Sequence, residues 1–381
     1  MLSISSWVPG GIAFASAFIV SLIATPIVRA FALRWRLGDK PNGRKRDARP
    51  IPHLGGIALF LGVIAALIPV VLMASPDGGS SLVVRSIPIV CLIVALGVID
   101  DTRNLRARHK LVVQMLAAAC MVGIGYRLFT GVWMLDAWMA MLSVISAFFI
   151  LGMLSSVNLI DGHDGLAAGV SIISAASFTV IAAVAGVPHV LPVSLAVCGA
   201  SLGFLVFNFP PGRIYMGDTG SMLLGLLLAI MACLVSMRAP SPGMFAAVIL
   251  VLGVPLLDTT LAIARRIVLR APVFNADHLH MHHILRGSGL TPRRTLFVLY
   301  AMQMFFCLLG VGAALGWVLP IIVGLAFTTL AFVAFLRMMV EEHAAAAAAL
   351  AHHVGANTIP LRTSFRAPLP EHTSVGQSVG Q

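Results

Sequence analysis

The sequence predicts an all-α, polytopic integral membrane protein, and three observations lead there. Of its 381 residues 59% are hydrophobic and only 10% charged, against roughly 45–50% and about 25% in soluble domains. Mean hydropathy is +0.99. The apolar stretches also run to the roughly 20 residues that cross a bilayer as a helix, not the alternating segments of about ten that build an outer-membrane barrel. A soluble enzyme, a secreted disulfide scaffold and a disordered chain are excluded together.

The first apolar window, 11–33, is too long for a signal-peptide core and is interrupted only by Pro26, so it reads as a retained span. The second and third, 55–75 and 84–100, follow a basic segment and end at Asp100 and Asp101. The fourth, 111–129, follows a run of Arg, His and Lys, and the fifth, 134–157, leads into NLIDGHDGLAAG. Windows at 165–187, 189–208, 219–237, 243–263, 295–316 and 318–339 complete a count of eleven. An Ala-rich run at 344–349 extends the last helix, and beyond 354 the composition turns to Pro, Ser, Thr, Gly and Gln. The expected division is therefore a multi-span catalytic domain, 1–342, and an extension with a disordered tail, 343–381. The five cysteines, Cys91, Cys120, Cys198, Cys233 and Cys307, are odd in number, lie in apolar stretches and show no C-x-x-C spacing, so they read as packing or lipid-facing residues.

The net charge of +11 is explained by topology, with no need for nucleic acid. With the N-terminus outside, only Arg85, Arg127 and Arg238 of the 25 Lys and Arg fall outside, and the other 22 lie on the cytoplasmic side. Topology does not place carboxylates, yet nine of the 14 gather on that same side: Asp39, Asp47, Asp100, Asp101, Asp161, Asp164, Asp218, Asp258 and Asp277. Carboxylates beside abundant cations at span ends describe a polar site at the membrane surface. A transporter is the reading from another class. It calls for ionisable groups in mid-span and for related halves, whereas mid-span charges are almost absent and no repeat is visible.

Four clusters carry chemistry. In GVIDDTRNLRARHKLVVQ, 97–114, the adjacent Asp100 and Asp101 repel each other and suit a general base or metal ligands, while Asn104, Arg106, Arg108, His109 and Lys110 can hold phosphate. In NLIDGHDGLAAG, 158–169, Asn158, Asp161 and Asp164 recur every three residues, which aligns them on helical turns, whereas Gly162 and Gly165 argue for a tight loop open to a ligand. In NFPPGRIYMGDTGS, 208–221, Asp218 sits where the eighth helix starts, either as a plain N-cap or as a carboxylate holding Mg²⁺ against phosphate. The fourth, 264–294, holds His278, His280, His282 and His283. Zinc is one reading of four imidazoles, but the crowding of the histidines, the lack of cysteine and the cations Arg265, Arg266, Arg270 and Arg286 favour a pyrophosphate, with Arg266 counted as substrate-binding. A further segment, 36–59, with Arg44, Lys45, Arg46 and Arg49, is positive-inside charge by default and a shaped binding loop by its Pro and Gly pairs. Hard oxygen ligands with cations imply phosphoryl or phosphoglycosyl transfer assisted by Mg²⁺ or Mn²⁺, and eleven spans imply a lipid phosphate as one substrate.

The strings at 36–59, 97–114, 158–169, 208–221 and 277–283, in this order, resemble those of the polyprenyl-phosphate N-acetylhexosamine-1-phosphate transferase family over roughly residues 10–340. The resemblance implies eleven spans with an outside N-terminus in a bacterial inner membrane. It implies Mg²⁺ or Mn²⁺ dependence and transfer of a sugar-1-phosphate from a UDP-N-acetylhexosamine to undecaprenyl phosphate with release of UMP. By position, Asp218 matches the principal metal ligand and Asn158 a second contact. Asp100 and Asp101 match a pair that deprotonates or positions the lipid phosphate, Asn104 and Lys110 positions near the phosphates, Asp161 a catalytic-loop carboxylate and Asp164 a uracil contact. His280, His282 and His283 match a His-x-His-His motif at the pyrophosphate or sugar. That motif's form resembles the N-acetylglucosamine branch more than the muramyl-pentapeptide branch, while His278 and His163 depart from the pattern. A homodimer is left open.

Overall fold

In the computed structural model the structure describes residues 4–35, 51–72, 79–128, 136–268, 280–335 and 337. Within the described residues the eleven apolar windows lie mainly in helix, the form that satisfies the backbone where lipid offers it no partner. The order is α1 Ile4–Arg34, α2 Gly55–Leu72, α3 Gly79–Arg103, α4 Ala107–Gly123, α5 Asp136–Ile160, α6 Leu166–Ala185 and α7 Val190–Asn208. It continues with α8 Gly217–Arg238, α9 Pro242–Val251, α10 Gly253–Val268, the short α11 Met281–Gly287, α12 Pro292–Ala314 and α13 Val318–Phe335. No strand occurs among the described residues. Everything below concerns the unit Met1–Phe332; the tail 343–381 and the basic stretch 36–50 lie outside the described residues.

Among the described residues eight helices are long and apolar enough to cross a bilayer, or nine if the bent pair α9–α10 is one span, so the count of eleven is not confirmed. The remaining two windows correspond to α2, whose apolar part Gly55–Ile68 is short, and to α4, which has 17 residues and opens on Arg108, His109 and Lys110.

Helix α8 is the axis of the bundle. It is apolar around its whole circumference, with 94% of its best apolar window buried, and α2, α3, α5, α6, α7 and α9 pack against it. Two glycines bring neighbours onto its first turn. A Cβ at Gly56 of α2 would overlap the Gly220 nitrogen, and one at Gly97 of α3 would overlap Thr219 Cα, so only glycine lets both backbones close on the start of α8. On the outside, Ile19, Ile23 and Ile27 of α1 and Leu319, Ile322 and Leu325 of α13 are exposed, a lipid-facing surface. All five cysteines are free, Cys91 and Cys120 exposed and the other three buried.

The window 243–263, expected as one span, is broken. Helices α9 and α10 meet at 77° around Leu252. A break inside a bilayer frees backbone groups that need partners, and Gln303 of α12, fully buried, supplies them. Its Oε1 accepts from Val254 N (3.1 Å), and its Nε2 donates to Val251 O (2.7 Å) and to Ser174 Oγ (2.9 Å). The bend swings α10, which carries Asp258 and Arg266, toward the polar end of α8.

Candidate active site

The site is built on the start of α8. Asp101, in the last turn of α3, accepts from Asp218 N at 2.8 Å through Oδ1, and from Thr219 N at 3.1 Å and Thr219 Oγ1 at 2.6 Å through Oδ2. Helix α8 has no side-chain cap of its own, so Asp101 supplies from α3 the acceptors its first amides lack, and its charge suits the positive end of the helix. Asp218 is thereby held by a neighbouring helix.

Asp100 faces the other way. Asn104, the residue at which the chain turns with φ 50°, donates N–H to Asp100 O at 2.8 Å, and Leu105 N donates to Asp100 Oδ1 at 2.8 Å. The turn delivers α4 so that Lys110 Nζ lies 2.6 Å from Asp100 Oδ2 and also pairs with Asp218 Oδ2. One ammonium thus joins the two carboxylates that bracket the α3–α8 junction.

Asn158 lies on α5, one turn from its end, and its Nδ2 donates to Ser221 Oγ at 3.1 Å. Of the two readings of 158–169, both hold in part: Asn158 is helical, while Asp161 to Gly165 form a turn that ends at Gly165 with φ 78°. Asp164 Oδ2 accepts from Gly212 N at 2.9 Å, and Asn208 accepts from Gly165 N at 2.9 Å and donates to Ile214 O at 2.9 Å, lacing this turn to the 209–216 loop. Asp161 makes no such anchor. Burial, and then the charges of Asp218, Asp101 and Asp164, push its carboxyl well above the usual carboxylate range.

The histidines arrive from α11. His280 and His282 are buried, with rings parallel at 6.0 Å between centroids, and His283 packs on His282 at 4.1 Å. Burial, reinforced by His283, pushes His282 down to about 4 against a smaller opposing effect of Asp258, so the ring is neutral at pH 7. Asp277 and His278 lie outside the described residues.

These elements enclose a cavity of about 1290 Å³. Twelve residues singled out from the sequence line it, namely Asp100, Asp101, Asn104, Lys110, Asn158, Asp161, Asp164, Asp218, Arg266, His280, His282 and His283, whereas Arg106, Arg108, His109, Arg265 and Arg286 do not. So do His53 and His163, while Asp258, which orients His280, stands behind the wall. The pattern had no role for Asp258 or His53. The available signal for Asp258 was its place among the carboxylates at one end of the bundle, one loop before the histidines.

The donor set suits a hard divalent cation. Lys110 pairs with Asp100 and Asp218, and Asp101 and Asp161 line the same cavity; burial first, and then the charges of Asp218, Asp101 and Asp164, push the Asp161 carboxyl up. Asn158 donates through its nitrogen, which leaves its oxygen as an acceptor beside α8. Among the described residues no three His, Cys, Asp or Glu side chains form a metal-holding group; a Mg²⁺ ion bound through one or two carboxylates completes its shell with substrate phosphates and water. Lys110, Arg266 and the histidines add cations and donors of the kind that bind phosphates.

Residues 82–236, which carry three of the four clusters, match the family described as Glycosyl transferase family 4. The chain is 35% identical over 301 residues, 77% of its length and 82% of the relative's, to the probable undecaprenyl-phosphate N-acetylglucosaminyl 1-phosphate transferase of Bacillus subtilis (strain 168). It is 31% identical over 320 residues, 75% of its length and 79% of the relative's, to the decaprenyl-phosphate N-acetylglucosaminephosphotransferase of Mycobacterium leprae. It is also 29% identical over 326 residues, 79% of its length and 96% of the relative's, to the phospho-N-acetylmuramoyl-pentapeptide-transferase of Geobacillus kaustophilus.

Proposed function

Because the chain belongs to glycosyl transferase family 4, we propose that it transfers N-acetylglucosamine-1-phosphate from UDP-N-acetylglucosamine to undecaprenyl phosphate and releases UMP. The product would be the first lipid-linked intermediate of a cell-surface polysaccharide. The observation that carries this reading is the convergence of all twelve residues on one cavity, with Lys110 between Asp100 and Asp218. The choice of sugar is supported by the His-Met-His-His form of 280–283 and by the relatives whose names specify N-acetylglucosamine. The inner-membrane location, with the N-terminus outside and the site facing the cytoplasm, is supported by the distribution of Lys and Arg.

Asp218 and the Asn158 oxygen would hold Mg²⁺ or Mn²⁺, with Asp161 adding negative charge beside them; the ion supplies charge neutralisation at the phosphate oxygens. Lys110 draws the β-phosphate toward Asp218 and offsets charge as UMP leaves, and Arg266, His282 and His283 bind the remaining phosphate oxygens and the sugar. Asp164 holds the 209–216 loop in place for the uracil. Asp101 positions α8, and Asp100 positions Lys110.

The route is a single displacement by the lipid phosphate on the β-phosphorus. A two-step route through an aspartyl phosphate on Asp100 or Asp101 is disfavoured because both oxygens of each already accept hydrogen bonds. With a donor chirally labelled at the β-phosphorus, the product should show inversion; overall retention would overturn the single step. Purified folded protein that forms no lipid-linked product with any UDP-N-acetylhexosamine in Mg²⁺ would overturn the function itself.

A further inference from the structure

The reaction needs a proton acceptor, and the two adjacent aspartates are committed elsewhere. Below about pH 6 most of a phosphate monoester retains one acid proton, which must leave before an oxygen of the lipid phosphate becomes a full nucleophile. Asp100 holds Leu105 N and Lys110 Nζ, and Asp101 holds Asp218 N, Thr219 N and Thr219 Oγ1.

A different pair has the geometry for the task. Asp258 of α10, 3% exposed, accepts from His280 Nδ1 at 2.8 Å through Oδ2 and from Met281 N at 2.7 Å through Oδ1. His280 is the N-cap residue of α11 and its side chain does not cap the helix; Asp258 caps it instead. A carboxylate only accepts, so Nδ1 of His280 carries a hydrogen, in the neutral ring the lone pair then lies on Nε2, and the ring cannot turn without breaking a bond made deep in the protein. His280 lines the cavity, while Asp258 does not, and Nε2 is the ring nitrogen that Asp258 leaves free. Among the described residues, Asp258 on α10 bonds the His280 ring and His282 on α11 stacks on it, with His283 packed on His282. A neutral Nε2 lone pair is no partner for an anionic pyrophosphate oxygen, but it is one for an acidic P–O–H. A buried carboxylate that fixes the tautomer of a base is the logic of the hydrolase triads.

We infer that His280 is the proton acceptor for the lipid phosphate and that Asp258 is the positioning residue that presents its Nε2 lone pair. The acid proton of the lipid phosphate passes to Nε2, and the freed oxygen forms a bond to the β-phosphorus. The bond from that phosphorus to the bridging oxygen breaks, with its electron pair leaving on UMP. The proton then returns from His280 to UMP, so that protons and charge balance without a further reactant.

This inference rests on the transferase reading, and wild-type turnover tests that reading separately. Asp258→Asn is nearly isosteric, but an amide cannot accept from both Met281 N and His280 Nδ1; it donates to Nδ1 and moves the ring hydrogen to Nε2. At pH 5.0, where a phosphate with a second pKa near 6 is about nine-tenths protonated, its kcat should fall about 10-fold, with the donor KM changed less than about 3-fold. At pH 8.5, where the lipid phosphate is already a dianion, the loss should shrink to less than about 2-fold. His282, held down to about 4, stays mostly neutral across this range. His280→Gln should give the same pattern, and the double variant should lose no more than the worse single. Equal losses at the two pH values, losses that multiply in the double variant, or wild-type kcat in His280→Gln would overturn the proposal. Should Asp258→Asn fail to fold, His280→Gln at the two pH values decides alone.

Discussion

Replacing Asp101 by asparagine separates two roles for this carboxylate, a clamp on α8 or a base. Asp101 accepts three hydrogen bonds from Asp218 and Thr219, and an asparagine must turn its amide nitrogen toward one of the two backbone donors. The loss is one charge-assisted hydrogen bond, about 1.5–3 kcal/mol, together with a charge at the positive end of α8, roughly 0.3–1 kcal/mol. A disturbance of about 2–4 kcal/mol at the turn that carries Asp218 corresponds to a loss of roughly 30- to 1000-fold in turnover. The assay is kcat against Mg²⁺ concentration, with thermal unfolding in detergent measured in parallel. The clamp predicts lower kcat, a Mg²⁺ requirement raised about 10-fold or more, and a lower melting temperature. A lost kcat with unchanged Mg²⁺ dependence and unchanged melting would refute the clamp and return Asp101 to direct chemistry.

Other outcomes follow from the same contacts. Gly56→Ala places a methyl group on the Gly220 backbone and should destabilise the protein by about 1–3 kcal/mol, read as a lower melting temperature; Gly11→Ala, with open space around it, should match wild type. Gln303→Leu leaves Val254 N unpaired at the helix break and Val251 O without its shortest bond, though still accepting from Ser174 Oγ, so it should lower the melting temperature and raise the donor KM by loosening α10; an unchanged KM would separate the break from the site. His282 is held down to about 4 against a usual 6.5, so the folded protein binds fewer protons than the unfolded chain between these values. Its contribution to stability is complete above about pH 6.5 and is lost as pH falls toward 4. Wild-type melting should therefore fall more steeply between pH 7 and pH 4.5 than that of His282→Gln, and parallel curves would contradict the assignment.

The residues of the site were legible because a chain with 10% charged residues has few reasons to keep carboxylates at span ends. Asp218 could be placed at a helix start from its glycines, and Asp100, Asp101 and Lys110 from their spacing. What the pattern concealed was division of labour. Asp100 and Asp101 are neighbours in sequence, yet helical geometry points one at Lys110 and the other at α8, 117 residues away from Asp218 in sequence. The break at Leu252 was hidden because an apolar window has the same composition bent or straight; Gly253 and Pro255 were its local signs, and its cause, Gln303, sits on another helix. Asp258 was similarly hidden, since its partner His280 is 22 residues further on.

The account stands most directly on Asp218 as the residue around which one metal-assisted transfer site is assembled. The measurement is formation of lipid-linked product from radiolabelled UDP-N-acetylglucosamine and undecaprenyl phosphate by wild type and Asp218→Ala, across a wide range of Mg²⁺ concentration. The account predicts product from the wild type and none from Asp218→Ala at any Mg²⁺ concentration, with the variant still folded. Substantial product from folded Asp218→Ala would contradict it.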